Sequence, residues 1–254
     1  MKTKLLFLIL ITCLVFHMRL YAQEEKVEWK HTEEPIETEL QLFHSTQSIN
    51  LPTTETLQRG DFEFEISHRF IPSVKSGSQA FWGLDGPVNM RLALGYALSN
   101  HLVVTLGRSN VNDNVDFWVK YKAIQIPNDV APVVVGLRGG IAWNSQVPGR
   151  EAKDSKNFQY YGQVIVNTLI AKRLAIGLVP SYLYNSYIPT DGNNYNTQDS
   201  FTMGFNVQYY LSKMFALLAE INSTVSGFRQ AYNPVAFGLE INTGGHFFKI
   251  LLTN

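Results

Sequence analysis

Apolar and polar residues alternate along most of the chain from residue 61 onward. In DFEFEISHRF (61–70), the even positions form one face, which is apolar apart from His68, and the odd positions form a polar face. A period of two residues predicts a β-strand with one apolar and one polar face. No stretch of helical period competes with it, and the pattern predicts eleven strands, at 61–70, 87–98, 101–109, 113–124, 131–143, 158–171, 173–185, 199–211, 213–223, 234–243 and 245–253.

The lengths of these strands and of their connections indicate the kind of sheet. Strands of roughly 9 to 13 residues exceed the 5 to 6 usual in soluble sandwiches and suit a tilted strand that crosses a bilayer. Outer-membrane barrels have short periplasmic turns and longer outward loops. We therefore predict an all-β fold, an antiparallel up-and-down transmembrane β-barrel over residues 61–254; a soluble periplasmic sandwich is the alternative. Tight connections near 99–100, 172, 212 and 244 alternate with long polar ones at 71–86, 144–157, 186–198 and 224–233.

The last predicted strand, 245–253, bears on the strand count. Single-chain bacterial barrels have an even number of strands and close on themselves. We therefore expect twelve strands in a complete chain, with the final strand missing after Asn254. For the present chain this predicts an open seam between the first and last strands, whose edges have no partner.

The N-terminal residues precede the predicted barrel. Lys2 and Lys4 are followed by an apolar run too short to span a bilayer, which predicts a cleaved signal peptide at residues 1–22; an uncleaved anchor is the alternative. Cys13, the only cysteine, lies in this run, so the mature chain has no disulfide or thiol chemistry. Residues 23–60 are polar and acidic without a period of two. They predict a leader outside the sheet, in the periplasm or at the barrel mouth.

Charge defines the possible partners and the predicted lumen. Removing the three cations of the signal peptide from a neutral chain leaves a net charge of −3, which argues against a nucleic-acid partner. In the strands, charged residues lie off the apolar face, as a polar lumen requires. They could form a selectivity path or a mutually neutralising network in a narrow lumen. The candidate lumen-lining residues are Glu63, Glu65, Arg69, Arg91, Asp116, Lys120, Lys122, Arg138, Glu220, Glu240 and Lys249.

Aromatic residues on the apolar face gather near the predicted strand ends. Membrane barrels carry such aromatic girdles at both interfaces, although aromatic residues are also common in strands generally. The outward set is Phe70, Tyr160, Tyr184 and Phe201, and the periplasmic set is Tyr96, Tyr121, Tyr209 and Phe215.

No residue pattern indicates catalysis. Ser67 and His68 could suggest a hydrolytic pair, but adjacent strand residues point to opposite faces. His68 and His246 are predicted at opposite ends of their strands, too far apart to share a metal. We therefore predict that the protein is not an enzyme and has no catalytic, cofactor-binding or metal site.

Three segments of the sequence resemble a Bacteroidota β-barrel family of unknown function. They are NLPTTETLQRGDFEFEISHRF (50–70), FWGLDGPVNMRLALGYALS (81–99) and NPVAFGLEINTGGHFFKILLTN (233–254). The resemblance covers most of the mature chain and implies an exported β-barrel of the cell envelope. It implies no activity, ligand or catalytic residue. Members of this family continue past the LTN ending into one further strand, and this sequence departs from them there.

These observations lead to three functional hypotheses for a protein of the bacterial outer membrane, in contact with its lipid. The first is a narrow channel or transporter for small solutes that uses the lumen charges. The second is a structural or interaction barrel that binds an envelope partner through its loops or its leader. The third and weakest is a barrel lipase. No cofactor is expected, and the sequence does not indicate an oligomeric state.

Overall fold

A computed structural model describes residues 39–189, 196–229 and 232–254 of the chain. The predicted signal peptide and residues 23–38 of the predicted leader lie outside the described residues. Short 3-10 segments occur at Val74–Gly83, Val111–Asp113 and Ser155–Asn157, and within the described ranges no helix is long and apolar enough to cross a membrane. The strands are β1 (Phe62–Phe70), β2 (Val88–Ser99), β3 (Leu102–Ser109), β4 (Asn114–Ile126), β5 (Val133–Asn144), β6 (Phe158–Ile170), β7 (Leu174–Tyr184), β8 (Ser200–Tyr210), β9 (Phe215–Gly227), β10 (Val235–Asn242) and β11 (Phe247–Thr253).

All eleven predicted strands are present and form a single antiparallel sheet. Each strand pairs with its neighbour in chain order, from β1 to β11, which is the up-and-down topology that the sequence predicts. The strand ends differ from the predicted ones by a few residues, most at β9, which extends to Gly227. The predicted all-β, up-and-down fold is therefore confirmed.

The two faces of the sheet differ in chemistry, and the apolar face is the exposed one. On the outer face, Leu106 of β3 lies directly across from Phe117 of β4, and both side chains are exposed. On the inner face, the neighbouring Trp118 and Lys120 are buried. This is the reverse of a soluble sheet, because the charged residues lie inside and the large apolar residues lie outside.

Residues 39–60, which we call the lumen segment, cover the inner face. Leu42, Phe43, Ile49 and Leu51 of this segment are buried against the strands. The sequence predicts residues 23–60 outside the sheet, in the periplasm or at the barrel mouth; residues 39–60 do lie outside the sheet, but they extend from the mouth along its inner face. The polar composition that resembled a solvated leader instead matches the polar inner face of the sheet.

Contacts of the lumen segment reach both ends of the sheet. Thr46 donates a hydrogen bond from its Oγ1 to Glu63 of β1, at 2.7 Å. The adjacent Ser45 accepts one from Lys249 Nζ of β11, also at 2.7 Å. Because neighbouring residues contact the first and the last strand, the sheet must curl around the segment into a barrel.

The barrel has an open seam. Among the described strands, β1 pairs only with β2 and β11 only with β10, so the two end strands are not hydrogen-bonded to each other. The seam between 61–70 and 245–253 that the sequence predicts is confirmed. The lumen segment bridges the two sides of this seam through the contacts of Ser45 and Thr46.

Aromatic side chains lie on the outer face near the strand ends. Tyr160 and Tyr184 pair across β6 and β7, with their ring centroids 5.9 Å apart. Tyr121 and Tyr209 are exposed near the opposite end of the barrel. These positions fit the predicted girdles, whose function at a membrane interface stays a prediction.

A lysine on the outer face should destabilise the protein in lipid. We expect Leu106→Lys to lower the free energy of unfolding by about 2–4 kcal/mol, because the sequence predicts that this face contacts the bilayer. Val130→Lys, an equivalent change at an exposed residue between β4 and β5, should cost less than about 0.5 kcal/mol. Reversible urea unfolding in liposomes measures both. Equal effects of the two substitutions would contradict a lipid-facing position for Leu106.

Candidate functional site

The carboxylate of Glu220 holds a turn of the lumen segment. Its Oε2 accepts hydrogen bonds from the backbone N–H groups of Ile49, Asn50 and Leu51 at 3.1, 2.9 and 3.0 Å. Glu220 lies on the inner face of β9 and is 5% exposed. Successive N–H groups that converge on one anion form a concave site of positive potential, and bonds to an ionised acceptor are stronger than neutral ones.

An ion pair on β10 and β11 holds the preceding residues of the segment. Glu240 and Lys249 are direct cross-strand partners, with Nζ 3.3 Å from Oε2. Lys249 also donates to the Ser45 hydroxyl at 2.7 Å and to the carbonyl of Ser48 at 2.8 Å. Glu240 lies 2.9 Å from Nδ1 of His44. The pair therefore has partners on the segment for both of its charges.

Lys120 and Asn167 hold the segment from the opposite wall. The buried Lys120 ammonium donates to the carbonyls of Thr46 and Thr53, at 2.9 and 3.3 Å. The side-chain oxygen of Asn167 on β6 accepts the N–H of Thr54 at 2.6 Å. A buried polar group without a partner is costly, and these bonds satisfy groups on both the wall and the segment.

Glu55 organises the segment from within. Its Oε1 accepts the N–H groups of Leu42 and Phe43 at 2.8 and 3.0 Å. Burial raises the pKa of the Glu55 carboxyl above its ordinary value, and the nearby Lys122 ammonium opposes that rise. Lys122 also lies 3.7 Å from Glu39 at the start of the segment.

The structure places the predicted lumen residues in two groups. One group contacts the lumen segment or lies beside it, and the other surrounds a cavity above it. Sequence reasoning missed the segment itself, although polar uncharged residues at inner positions of β6 and β8, such as Asn167 and Gln208, were a signal that the lumen is filled. The first group is Glu63, Lys120, Lys122, Glu220, Glu240 and Lys249, and the second is Glu65, Arg91, Asp116 and Arg138; Arg69 belongs to both.

The cavity lies at the end of the barrel that carries the long connections. It is open to the outside and has a volume of about 550 Å³, and Gln47 and Asn50 of the lumen segment contribute to its floor. Arg91 crosses its wall and binds Asp116 through two nitrogens, at 2.7 and 3.1 Å. A third nitrogen of Arg91 donates to Glu65 at 2.7 Å. Two carboxylates therefore neutralise this arginine.

Arg138 lines the same cavity in a different environment. Its guanidinium carbon lies 4.1 Å from the centroid of the Trp118 ring and 5.5 Å from that of Tyr161. Its Nε is buried and has no hydrogen-bond partner. Within the described ranges, no carboxylate lies within 4 Å of its nitrogen atoms. The aromatic rings fix the plane of a guanidinium that has no ion pair.

Gly107 makes room for the ion pair in the cavity wall. A Cβ atom there would lie 2.4 Å from Nη2 of Arg91 and 2.6 Å from Oδ2 of Asp116. Any larger residue would therefore separate the two charges or displace them.

Removing the Glu220 carboxylate should release the turn at 49–51. We expect Glu220→Leu to accelerate amide hydrogen exchange at Ile49, Asn50 and Leu51 at least about tenfold, because charged hydrogen bonds contribute about 1.5–3 kcal/mol each. Glu220→Gln keeps one oxygen acceptor and should have a smaller effect. The matched control is Glu65→Leu, which removes a carboxylate that binds Arg91 instead and should leave these amides protected. Unchanged exchange in Glu220→Leu would show that the carboxylate does not hold the turn.

Comparison with known proteins agrees with this architecture. A family model described as "Membrane bound beta barrel domain (DUF5777)" matches residues 43–254. The match includes all eleven strands and most of the lumen segment. No curated protein and no solved structure matches the chain. The prediction of a membrane β-barrel of a family without known function is confirmed: the chain belongs to the family of membrane-bound β-barrel domains described as DUF5777.

Proposed function

We propose that this protein is a bacterial outer-membrane β-barrel, exported by a cleaved signal peptide, whose lumen is occluded by its own residues 39–60. In this proposal it acts by binding at the end with the long loops and does not form a permanently open pore. The single observation that carries the proposal is the binding of the lumen segment by buried charges of the inner wall, above all by Glu220.

The lumen charges support occlusion better than they support a selectivity path. A selectivity path needs charged groups that face water and can exchange ions. Lys120, Glu220 and Glu240 are instead buried and bind groups of the lumen segment. Of the two interpretations that the sequence leaves open, we therefore favour the neutralising network.

The strength of these contacts favours a closed resting state. Each charge-assisted hydrogen bond contributes about 1.5–3 kcal/mol. If three of these bonds are lost without replacement when the segment leaves the lumen, the equilibrium population of the open state is roughly one molecule in a thousand or fewer. Apolar contacts stabilise the closed state further: Ile49 packs against Leu218, and Leu51 packs against Val179.

A gated channel or transporter is the second candidate. The observation that favours it is the polar character of the attachment, since water can replace hydrogen bonds to Lys120 or Lys249 more easily than it can replace a continuous apolar core. Transport in this case would require the lumen segment to move. An interaction barrel requires no such movement, and conductance distinguishes the two.

We also propose that the protein is not an enzyme. Ser67 lies across from Arg91 on the inner face, whereas His68 lies across from Met90 on the outer face. A hydroxyl nucleophile and its base must come within hydrogen-bonding distance. This pair does not meet that requirement, which argues against the barrel-lipase hypothesis.

Conductance in planar lipid bilayers tests the occlusion. We expect folded wild-type protein to give no steady conductance, because the lumen segment blocks the lumen. The double variant Glu220→Leu, Lys249→Met should give discrete conductance steps, because it removes the hydrogen bonds that these two side chains make to residues 45–51. The control is Val130→Lys, whose substitution lies outside the strands.

Two outcomes would contradict this proposal. Steady conductance of the folded wild-type protein would favour an open channel. An insulating double variant, with amide exchange showing that its lumen segment is released, would mean that residues 39–60 are not what closes the lumen.

A further inference from the structure

We propose that the cavity at the long-loop end of the barrel binds a small, hydroxyl-rich anion. Arg138 and Arg69 would receive its carboxylate or phosphate group. The proposal names a ligand class for the binding end of the barrel. It rests on the occluded state, because Gln47 and Asn50 of the lumen segment contribute to the floor of the cavity.

The charges around the cavity leave two arginines available. Arg91 is neutralised by Asp116 and Glu65. Arg138 has no carboxylate within 4 Å in the described part of the chain, and the same holds for Arg69. Arg69 donates instead to the side-chain oxygen of Asn50, at 2.5 Å. The cavity therefore offers two guanidinium groups that are not ion-paired.

The setting of Arg138 favours an oxyanion as its partner. The Trp118 ring at 4.1 Å and the Tyr161 ring at 5.5 Å hold the guanidinium in place. A planar guanidinium with fixed donors matches the geometry of a carboxylate or a phosphate. Tyr161 hydrogen-bonds the guanidinium, but the Nε is buried without a partner and, in the described part of the chain, no carboxylate binds the group directly, which leaves part of the cost of burying its charge. A bound anion would compensate it.

The remaining lining favours a ligand with many hydroxyl groups. Amide side chains both donate and accept hydrogen bonds, so they suit hydroxyls on any side of a ligand. A volume of about 550 Å³ falls within the range of small-molecule sites. It would accommodate a sugar acid or a sugar phosphate. The amide residues of the lining include Asn89, Asn114, Gln159 and Gln163.

A cation is a poorer fit for the same cavity. The acidic residues of its wall, Glu65 and Asp116, are both bound by Arg91 at 2.7 Å. A metal ion would have to displace that arginine. No cluster of three or more His, Cys, Asp or Glu side chains suited to a metal occurs in the described part of the chain.

Isothermal titration of the detergent-solubilised full chain tests the site. The probes are D-glucuronate, D-glucose 6-phosphate and uncharged D-glucose, and the first two distinguish a carboxylate site from a phosphate site. We expect at least one charged probe to bind about tenfold more tightly than glucose. Arg138→Gln should weaken binding of that probe about tenfold and leave glucose unchanged.

The control variant is Arg108→Gln, since Arg108 is exposed and pairs with Asp113 at 3.0 Å away from the cavity. Circular dichroism establishes that each variant is folded. Three results would overturn the proposal: no binding of either charged probe to folded wild-type protein, equal binding of glucose, or unchanged binding in Arg138→Gln. The bilayer measurement uses no ligand, so failure of the ligand site would leave the proposed occlusion intact.

Discussion

The structure depends on one constraint: charged groups inside the barrel need partners, and the backbone of the lumen segment supplies them. Glu220 accepts three successive N–H groups, and Lys120 donates to two carbonyls of the same segment. Without the segment, these charges would lose the backbone groups that bind them, and water in the lumen would have to take their place. Without the charges, the N–H groups of Ile49, Asn50 and Leu51 and the carbonyls of Thr46 and Thr53 would lose these partners.

The same contacts account for the shape of the sheet. The eleven described strands form a sheet with two free edges, and no backbone hydrogen bonds join β1 to β11 to close it. The lumen segment provides another connection, because Ser45 contacts Lys249 on β11 and Thr46 contacts Glu63 on β1. These are single side-chain bonds in place of a continuous ladder, so they hold the ends of the sheet near each other without sealing the seam.

The sequence predicted the parts of the structure that local patterns determine. Strands such as β1 and β4 show their period within ten residues, and the same period assigns Lys120 and Glu220 to the inner face. The lumen segment was missed because its partners are distant in sequence: Thr46 bonds Lys120, and Leu51 bonds Glu220. Composition alone makes such a segment look like a solvated leader. The sequence also could not predict that Arg138 lacks a carboxylate partner, because this depends on which side chains the neighbouring strands bring together.

A disulfide between the lumen segment and the wall tests the central claim most directly. A Cβ at Gly204 would lie 3.2 Å from Cγ of Leu51, so in a Cys13→Ser background the pair Leu51→Cys, Gly204→Cys should cross-link in intact membranes. The control pair Leu51→Cys, Phe205→Cys uses the next residue, which is exposed on the outer face, and should not. Efficient cross-linking of the first pair alone is the predicted result. Folded protein in which the first pair does not cross-link, or in which both pairs do so equally, would contradict a lumen filled by residues 39–60.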